Sequence, residues 1–281
     1  MPEGPEVRRA ADRLARVLVD RPLAQVWFRF PRLQRHAAEL CAQSILAVRS
    51  RGKALLVDFA DGRTLYTHNQ LYGRWYVQRA GARPSTGREL RLVLETETHA
   101  ALLYSASEID LLEPGQWRTH PFLGRLGPDV FDAATTPAFL RRRLRSAAFA
   151  RRSLGGLLMD QAFLAGLGNY LRSEILFTAG VHPDARACDL DDETLGALSR
   201  AIRALAFRAY RTRGETATKA WVRARKAAGH PRRASRHWVF EREEEPCPRC
   251  GSTILRREVA SRRLYLCPRC QPAPARKELA A

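Results

Sequence analysis

Residues 1–6 read MPEGPE, and the apolar residues that follow this stretch repeat at helical spacing. Val7, Ala11, Leu14 and Leu18 recur every three or four positions, which predicts an amphipathic helix with one buried face. From residue 23 onward the pattern changes to short runs rich in Val, Leu, Phe, Trp and Tyr. We predict strands at residues 25–30, 44–49, 53–59, 64–68, 74–78, 90–95 and 100–105. One leading helix followed by many short strands favours an antiparallel β-sandwich.

The composition indicates a folded, strongly basic protein. Of the 281 residues, 45% are hydrophobic, and 48 Lys and Arg against 29 Asp and Glu give a net charge of +19. Such an excess implies a polyanionic partner, either nucleic acid or an anionic membrane surface. The sequence has no apolar run long enough to span a bilayer and no signal-peptide pattern at its start. We therefore expect nucleic acid as the partner and the cytoplasm as the location.

The second half of the chain shows helical patterns. Glycines and prolines between residues 120 and 132 mark a linker, and Thr136-Pro137 is a typical helix start with Thr as the cap. We predict further helices at residues 154–160, 170–179 and 192–210. Residues 211–236 are basic and short of large apolar side chains. They form either a mobile or DNA-facing loop or a solvated charged surface.

Four cysteines near the carboxyl terminus form the most specific local motif. Two Cys-Pro-Arg-Cys pairs are separated by sixteen residues, which leaves room for a β-hairpin between two pairs of zinc ligands. Such a centre uses all four thiolates, so the zinc is structural. A redox role for two CxxC pairs is the alternative, but no thioredoxin-like pattern surrounds them. The predicted ligands of one structural Zn²⁺ are Cys247, Cys250, Cys267 and Cys270.

These patterns set the expected domain limits and an α+β fold class. The expected parts are a β-sandwich catalytic domain at residues 1–122, a linker at 123–134, a helical domain at 135–237, a four-cysteine zinc finger at 238–271 and a disordered tail at 272–281.

Pro2 is the first candidate for chemistry. Its small side chain favours removal of Met1, which would leave a secondary amine at the terminus. Such an amine attacks electrophilic carbon and forms a cationic iminium with an aldehyde-level carbon. Glu3 and Glu6 place two carboxylates within reach of that amine for proton transfer. The alternative is that this stretch is only a polar start to a helix, with Glu6 near its dipole.

Three other segments indicate contact with nucleic acid. Asn169 follows a glycine-containing turn that leads into a helix, where backbone N–H groups favour a phosphate; close helix packing is the alternative. Lys53 opens an apolar strand and is either a phosphate contact or a solvated strand end. Residues 69–73, NQLYG, set Leu and Tyr at a loop tip, where they could fill the gap left by an extruded base or pack beneath the loop.

These features together resemble the bifunctional DNA glycosylases of the formamidopyrimidine-DNA glycosylase and endonuclease VIII family. The resemblance rests on PEGPE at residues 2–6, RGK at residues 51–53, DQAFLAGLGNYLR at residues 160–172 and the four cysteines. Within the family the contiguous Gln, Leu and Tyr of residues 70–72 resemble the endonuclease VIII branch. The resemblance implies a β-sandwich followed by a helix–two-turns–helix domain with a zinc-finger hairpin.

The resemblance also implies roles for single residues. Pro2 is the expected nucleophile at C1′ and Glu3 the general acid, with Lys53 completing the catalytic set. The residues expected to bind DNA are Gln70, Leu71, Tyr72, Asn169 and Arg262, with Arg263 as the alternative to Arg262. The residues expected to support the site are Glu6 and Glu174.

The activity implied is excision of oxidised bases from damaged double-stranded DNA, with a preference for pyrimidines. The enzyme would act as a monomer in base excision repair and cut the strand by β,δ-elimination. Two alternatives stay open at this point. One is the same enzyme class with a preference for 8-oxoguanine and formamidopyrimidines, and the other is a DNA-binding zinc protein without catalysis.

Overall fold

The computed structural model describes residues 2–259 and 261–274. The chain divides between Leu126 and Gly127 into two compact units, and each unit has a hydrophobic core of its own. Met1, whose removal is predicted, and residues 275–281 of the predicted tail lie outside the described residues, while residues 272–274 are exposed. No helix in the described ranges combines the length and the apolar character that crossing a membrane requires.

The first unit is a β-sandwich with a leading helix. Its helices are α1 Gly4–Leu18, α2 Pro31–Gln34 and α3 Ala37–Cys41. Its strands are β1 Leu23–Phe28, β2 Ile45–Arg51, β3 Ala54–Phe59, β4 Thr64–His68, β5 Arg74–Arg79, β6 Leu90–Thr96, β7 His99–Tyr104 and β8 Glu108–Leu112. They form two antiparallel four-stranded sheets, in the orders β1-β6-β7-β5 and β2-β3-β4-β8.

The apolar repeat of α1 explains how this unit packs. The four residues at helical spacing are buried and share one core with side chains of both sheets, among them Leu55 and Leu94. Strand β3 is apolar on both faces because its outward residues, such as Leu56, pack beneath the turn that contains Leu123. The tight β3–β4 hairpin places Gly62 at φ 86°, a conformation that favours glycine.

The second unit is helical and ends in a β-hairpin. Its elements are α4 Pro137–Arg145, α5 Leu154–Leu157, α6 Asn169–Ala179, α7 Asp192–Thr212, α8 Lys219–Ala227, α9 Arg232–Ser235, β9 Leu255–Val259 and β10 Arg262–Leu266. Thr136 caps α4 as predicted, because its hydroxyl accepts from the Phe139 N–H at 3.1 Å. The apolar stripe of α7, including Leu198 and Ile202, is fully buried against α6.

The predicted α+β fold class is confirmed, but two local predictions are wrong and one strand was missed. The helix predicted at residues 154–160 ends at Leu157, and strand β8 was not predicted. The basic segment 211–236 is not an irregular loop, because it contains α8 and α9. Helix α8 is held by Trp221, whose ring lies 5.3 Å from the ring of Trp238. Local sequence patterns do not indicate this contact, because the two residues are far apart in the sequence.

Candidate active site

The amino terminus of the first unit is held by a carboxylate at the start of α1. Pro2 is half-buried, and Glu3 is the N-cap of the helix with 3% of its surface exposed. The Glu3 N–H donates to Glu6 Oε2 at 3.0 Å. Glu6 therefore fixes the backbone that carries both Pro2 and Glu3.

Lys53 is not a solvated strand end. It follows Gly52 in the turn between β2 and β3, and only 6% of its surface is exposed. The next residue, Ala54, pairs with His68 on β4. Burial is the main cause that lowers the pKa of His68, and the positive charge of Lys53 lowers it further. Lysine is rarely buried to this extent, and a buried ammonium group is a candidate for a functional lysine.

The loop between β4 and β5 presents two apolar side chains to solvent. Leu71 is 59% exposed and Tyr72 68% exposed, so they do not pack beneath the loop. The loop is closed by the Gly73 N–H, which donates to the Asn69 carbonyl at 2.7 Å. A Cβ at Gly73 would lie 2.6 Å from that carbonyl oxygen, so the loop needs glycine there. A patch of this kind favours contact with a ligand.

In the second unit, Asn169 is connected to the zinc-finger hairpin through one arginine. The Oδ1 atom of Asn169 accepts from Arg172 Nη2 at 2.6 Å. Arg172 is fully buried and also donates to the backbone carbonyls of Val259 at 3.1 Å and Arg262 at 3.4 Å. The structure therefore brings together the turn before α6 and the finger hairpin, as the predicted shared role of Asn169 and Arg262 requires.

Arg172 was missed by the sequence analysis as a residue of the site. Two signals were present in the sequence: Arg172 ends the motif at residues 160–172, and its spacing of three positions from Asn169 puts both side chains on one face of α6. The guanidinium suits the task because its five N–H donors spread over a plane and serve several carbonyls at once.

The side chains of Arg262 and Arg263 both point to solvent at the start of β10. Neither forms an ion pair with another residue of the described ranges. Both backbone carbonyls accept from Arg172, at 3.4 Å and 3.3 Å. Their position is thus fixed at the backbone while both guanidinium groups stay available to an anion.

Glu174 is completely buried and acts on the backbone that leads into the finger. Its carboxylate accepts from the Thr216 hydroxyl at 2.6 Å and from the N–H groups of Trp238, Val239 and Phe240 at 2.8, 2.8 and 2.9 Å. Burial raises the pKa of the Glu174 carboxyl, and the four hydrogen bonds oppose that rise. The structure thus gives Glu174 a positioning role for residues 238–240.

The four predicted cysteines form a metal centre. Their sulfur atoms lie within 4.8 Å of one another, with 3.8 Å between Cys247 and Cys270 and 3.4 Å between Cys250 and Cys267. Four thiolates bound tetrahedrally to zinc at about 2.3 Å stand about 3.8 Å apart, so the cluster fits one structural Zn²⁺. The Arg249 N–H donates to Cys247 Sγ at 3.4 Å, a contact that helps to orient this ligand.

The finger is attached to the helical domain by side chains at both cysteine pairs. Arg249 donates to the Phe177 carbonyl at the end of α6 at 2.9 Å. Gln271 accepts from the Cys267 N–H at 3.0 Å and donates to the Val181 carbonyl at 2.8 Å. Zinc therefore stabilises a hairpin that is already anchored to α6.

Comparison with protein families gives three matches along the chain. Residues 1–107 match the formamidopyrimidine-DNA glycosylase N-terminal domain, and residues 126–220 match the H2TH domain of the same glycosylase. Residues 244–273 match a zinc finger found in that glycosylase and in IleRS.

Comparison with individual proteins gives similar sequences and similar folds. Proteins named endonuclease 8 from Escherichia coli O17:K52:H18 and Pectobacterium carotovorum are each 48% identical over 94% of this chain and 97% of their own. A structure of MutM bound to DNA containing carbocyclic 8-oxo-G has a TM-score of 0.77 at 22% identity, covering 97% of this chain and all of that chain. A Lactococcus lactis Fpg complex with DNA containing an oxidised pyrimidine has the same TM-score and coverage at 21% identity.

Proposed function

Because the chain belongs to the formamidopyrimidine-DNA glycosylase and endonuclease VIII family, we infer that it is a DNA glycosylase with AP lyase activity that acts in base excision repair. Its partner is damaged double-stranded DNA, and one structural zinc holds its finger. The observation that carries this conclusion is the match to proteins named endonuclease 8, which spans 97% of their length. The same match supports oxidised pyrimidines as the preferred bases.

The chemistry we propose starts at Pro2 once Met1 is removed. The Pro2 nitrogen forms a bond to C1′ of the damaged nucleotide, the glycosidic bond breaks, and the base leaves with a proton. Glu3 donates a proton to the ring oxygen of the deoxyribose, which opens the sugar and leaves a cationic iminium between Pro2 and C1′. The Glu3 carboxyl is suited to this step because Glu6 holds its backbone beside Pro2.

The iminium makes the protons at C2′ acidic. Loss of one C2′ proton expels the phosphate on the 3′ side by β-elimination, and a second proton loss expels the phosphate on the 5′ side by δ-elimination. The strand is then cut on both sides of the lost nucleoside. Lys53, Asn169 and Arg262 bind the flanking phosphates in this proposal, while Gln70, Leu71 and Tyr72 fill the gap in the duplex. Glu6 and Glu174 act as positioning residues.

We also propose domain limits, an oligomeric state and a cellular location for this enzyme. Residues 1–122 carry catalysis, 123–134 link the domains, 135–237 form the helical domain and 238–271 the finger. The enzyme works as a monomer in the bacterial cytoplasm and associates with the nucleoid by binding DNA. Its relatives of known source are bacterial, and the charge of +19 supports the association with DNA.

Borohydride trapping tests the mechanism directly. Duplexes that carry thymine glycol, 8-oxoguanine or an abasic site are incubated with the enzyme and borohydride, and the adduct is sequenced from its amino terminus. We expect an adduct at Pro2, strongest with thymine glycol among the damaged bases. Pro2→Gly and Glu3→Gln should lose base excision but keep DNA binding.

Other results of these experiments would overturn different parts of the proposed function. An adduct that favours 8-oxoguanine would keep the mechanism and overturn the pyrimidine preference. A protein that binds DNA and lacks Met1 yet forms no adduct on any duplex would have to be a DNA-binding protein without catalysis. Equal loss of DNA binding in Pro2→Gly and Glu3→Gln would remove these residues from the chemistry.

A further inference from the structure

The amide of Gln70 is held at both ends by two neighbouring residues. Its Nε2 atom donates to Glu108 Oε1 in a short hydrogen bond, and its Oε1 atom accepts from the Ser107 hydroxyl at 2.8 Å. A glutamine amide offers two donor hydrogens and two acceptor lone pairs, so one of each is used inside the protein. Gln70 is therefore fixed in rotation as well as in position.

Glu108 is itself fixed by the sheet. It begins β8, where it pairs in register with His68 of β4. Its second oxygen lies 3.0 Å from His68 Nδ1 and 3.4 Å from the Tyr66 hydroxyl. The His68 ring packs 4.8 Å from the ring of Phe122. The Glu108 carboxylate thus links the β4–β8 strand pair to Gln70, the first residue of the exposed loop tip.

The backbone of the loop is restrained on both sides of its tip. Gln70 has φ 46°, a left-handed conformation that a residue with a side chain adopts only when other contacts enforce it. On the far side, Arg88 donates to the Tyr72 carbonyl in a short hydrogen bond. Between these two restraints, Leu71 and Tyr72 point into solvent without a covering side chain.

We propose that Glu108 is a positioning residue that, with Ser107, anchors Gln70 so that Leu71 and Tyr72 form a preformed wedge. The inference rests on the proposed function, since the wedge enters the gap that a flipped base leaves in duplex DNA. A wedge that is already ordered loses less conformational freedom on binding, so more of its contact free energy appears as binding. Within the three residues proposed to fill the gap, Gln70 anchors the loop through its amide, and Leu71 and Tyr72 supply the exposed apolar surface.

The proposal distinguishes two kinds of DNA. In a duplex the gap left by the flipped base must be filled, whereas a single strand has no opposite base and needs no wedge. Loss of the anchor should therefore slow the reaction on duplex DNA and leave the reaction on single-stranded DNA unchanged. General damage to the fold would slow both.

The experiment compares Glu108→Ala with Asp110→Ala in single-turnover cleavage of an abasic site placed in a duplex and in the same single strand. Asp110 lies two residues along β8, pairs with Arg32 at 3.0 Å and does not contact Gln70, so it is the matched control. We expect Glu108→Ala to lose roughly tenfold or more on the duplex, as the loss of a charged hydrogen bond implies, and less than about twofold on the single strand. Glu108→Gln, which keeps an acceptor for Gln70, should restore most of the duplex rate.

A double-mutant cycle with Leu71→Ala adds a second readout. If Glu108 acts through the wedge, Leu71→Ala with Glu108→Ala should be no slower on the duplex than Leu71→Ala alone. A full duplex rate for Glu108→Ala, an equal loss on both DNAs, or additive losses in the cycle would each overturn the proposal. If the wild type gave no borohydride adduct on either DNA, the proposed function itself would fail, and that result is separate from these.

Discussion

At the scale of single residues, the hydrogen bonds and burial of His237 determine its protonation state. The ring is 1% exposed and stacks on Tyr170 with 5.1 Å between ring centres. Its Nδ1 atom lies 2.8 Å from Thr216 Oγ1, and the Thr216 hydroxyl donates to Glu174. The hydroxyl has one proton, so Nδ1 must carry the other and donate it. Burial, with a smaller contribution from Arg236, holds the pKa of His237 well below the usual value, so the ring is neutral with its single proton on Nδ1.

This pKa shift predicts a loss of stability in acid. Below about pH 6.5 the unfolded chain protonates this histidine and the folded chain does not, so the unfolded state binds more protons and stability falls as pH falls. His237→Asn keeps a donor for Thr216 but cannot titrate. We expect it to reduce the pH dependence of stability between pH 6.5 and 5 by up to about 1.4 kcal/mol per pH unit.

Urea unfolding at several pH values, monitored by hydrogen exchange in α6 and residues 237–240, measures that slope. His230→Asn is the control, because it makes the same substitution at an exposed ring. Identical slopes for wild type and His237→Asn would show that another group causes the acid sensitivity.

At the scale of elements, helix α8 separates a packed face from a charged one. Trp221 and the buried Val222 face the segment before the finger, where Arg225 pairs with Glu245 at 2.8 Å. Lys219, Arg223 and Lys226 lie at spacings of four and three on the opposite, exposed face. None of these three forms an ion pair with a residue that the structure describes. Like charges at this spacing destabilise a helix, so the face is better suited to a polyanion than to solvent.

We expect α8 to contact DNA phosphates. Each phosphate contact contributes about 0.9 to the slope of log affinity against log salt. The triple variant Lys219→Ala, Arg223→Ala, Lys226→Ala should therefore lower that slope by about 2 to 3, measured by fluorescence anisotropy on an undamaged duplex. Arg16→Ala, Arg21→Ala, Arg79→Ala removes three exposed arginines of the first unit and is the control. An equal fall in both triple variants would show a general effect of net charge and leave α8 as a solvated surface.

Elements with strong local patterns were predictable, and elements held by distant contacts were not. Strand β4, TLYTH, consists mainly of residue types with high β-propensity and was predicted at its observed limits. Strand β8 was missed because EIDLL carries acids at alternate positions, and one of these acids, Glu108, serves the loop rather than the core. Helix α8 was missed because it has only two large apolar residues, and Trp221 meets Trp238 and Arg242 from outside the local window.

At the scale of the whole molecule, the same distinction applies to the candidate site. The cysteine spacing predicted the zinc ligands because metal geometry requires short pairs, and the terminal Pro2 and Glu3 stood out by their position. Arg172, Thr216 and Ser107 were not predicted, since each acts through backbone carbonyls or side chains far away in sequence. The sequence thus indicates groups whose chemistry is unusual, and the structure adds the ordinary polar groups that hold them in place.

Removal of zinc tests how much of the protein depends on the metal for its folded structure. The finger packs on α6 through Phe177, Ile254 and Tyr265, while the first unit has a core of its own. Structural zinc contributes directly to the folding free energy of the segment that it joins. We therefore expect chelation to raise hydrogen exchange in residues 247–271 and at the end of α6, to abolish specific DNA binding, and to leave exchange in β3, β4 and β7 unchanged. Cys250→Ser should reproduce the result without a chelator.

Loss of protection throughout the β-sandwich would mean that the two units fold as one cooperative structure. Full DNA binding by the metal-free protein would mean that zinc is not needed to hold Arg262.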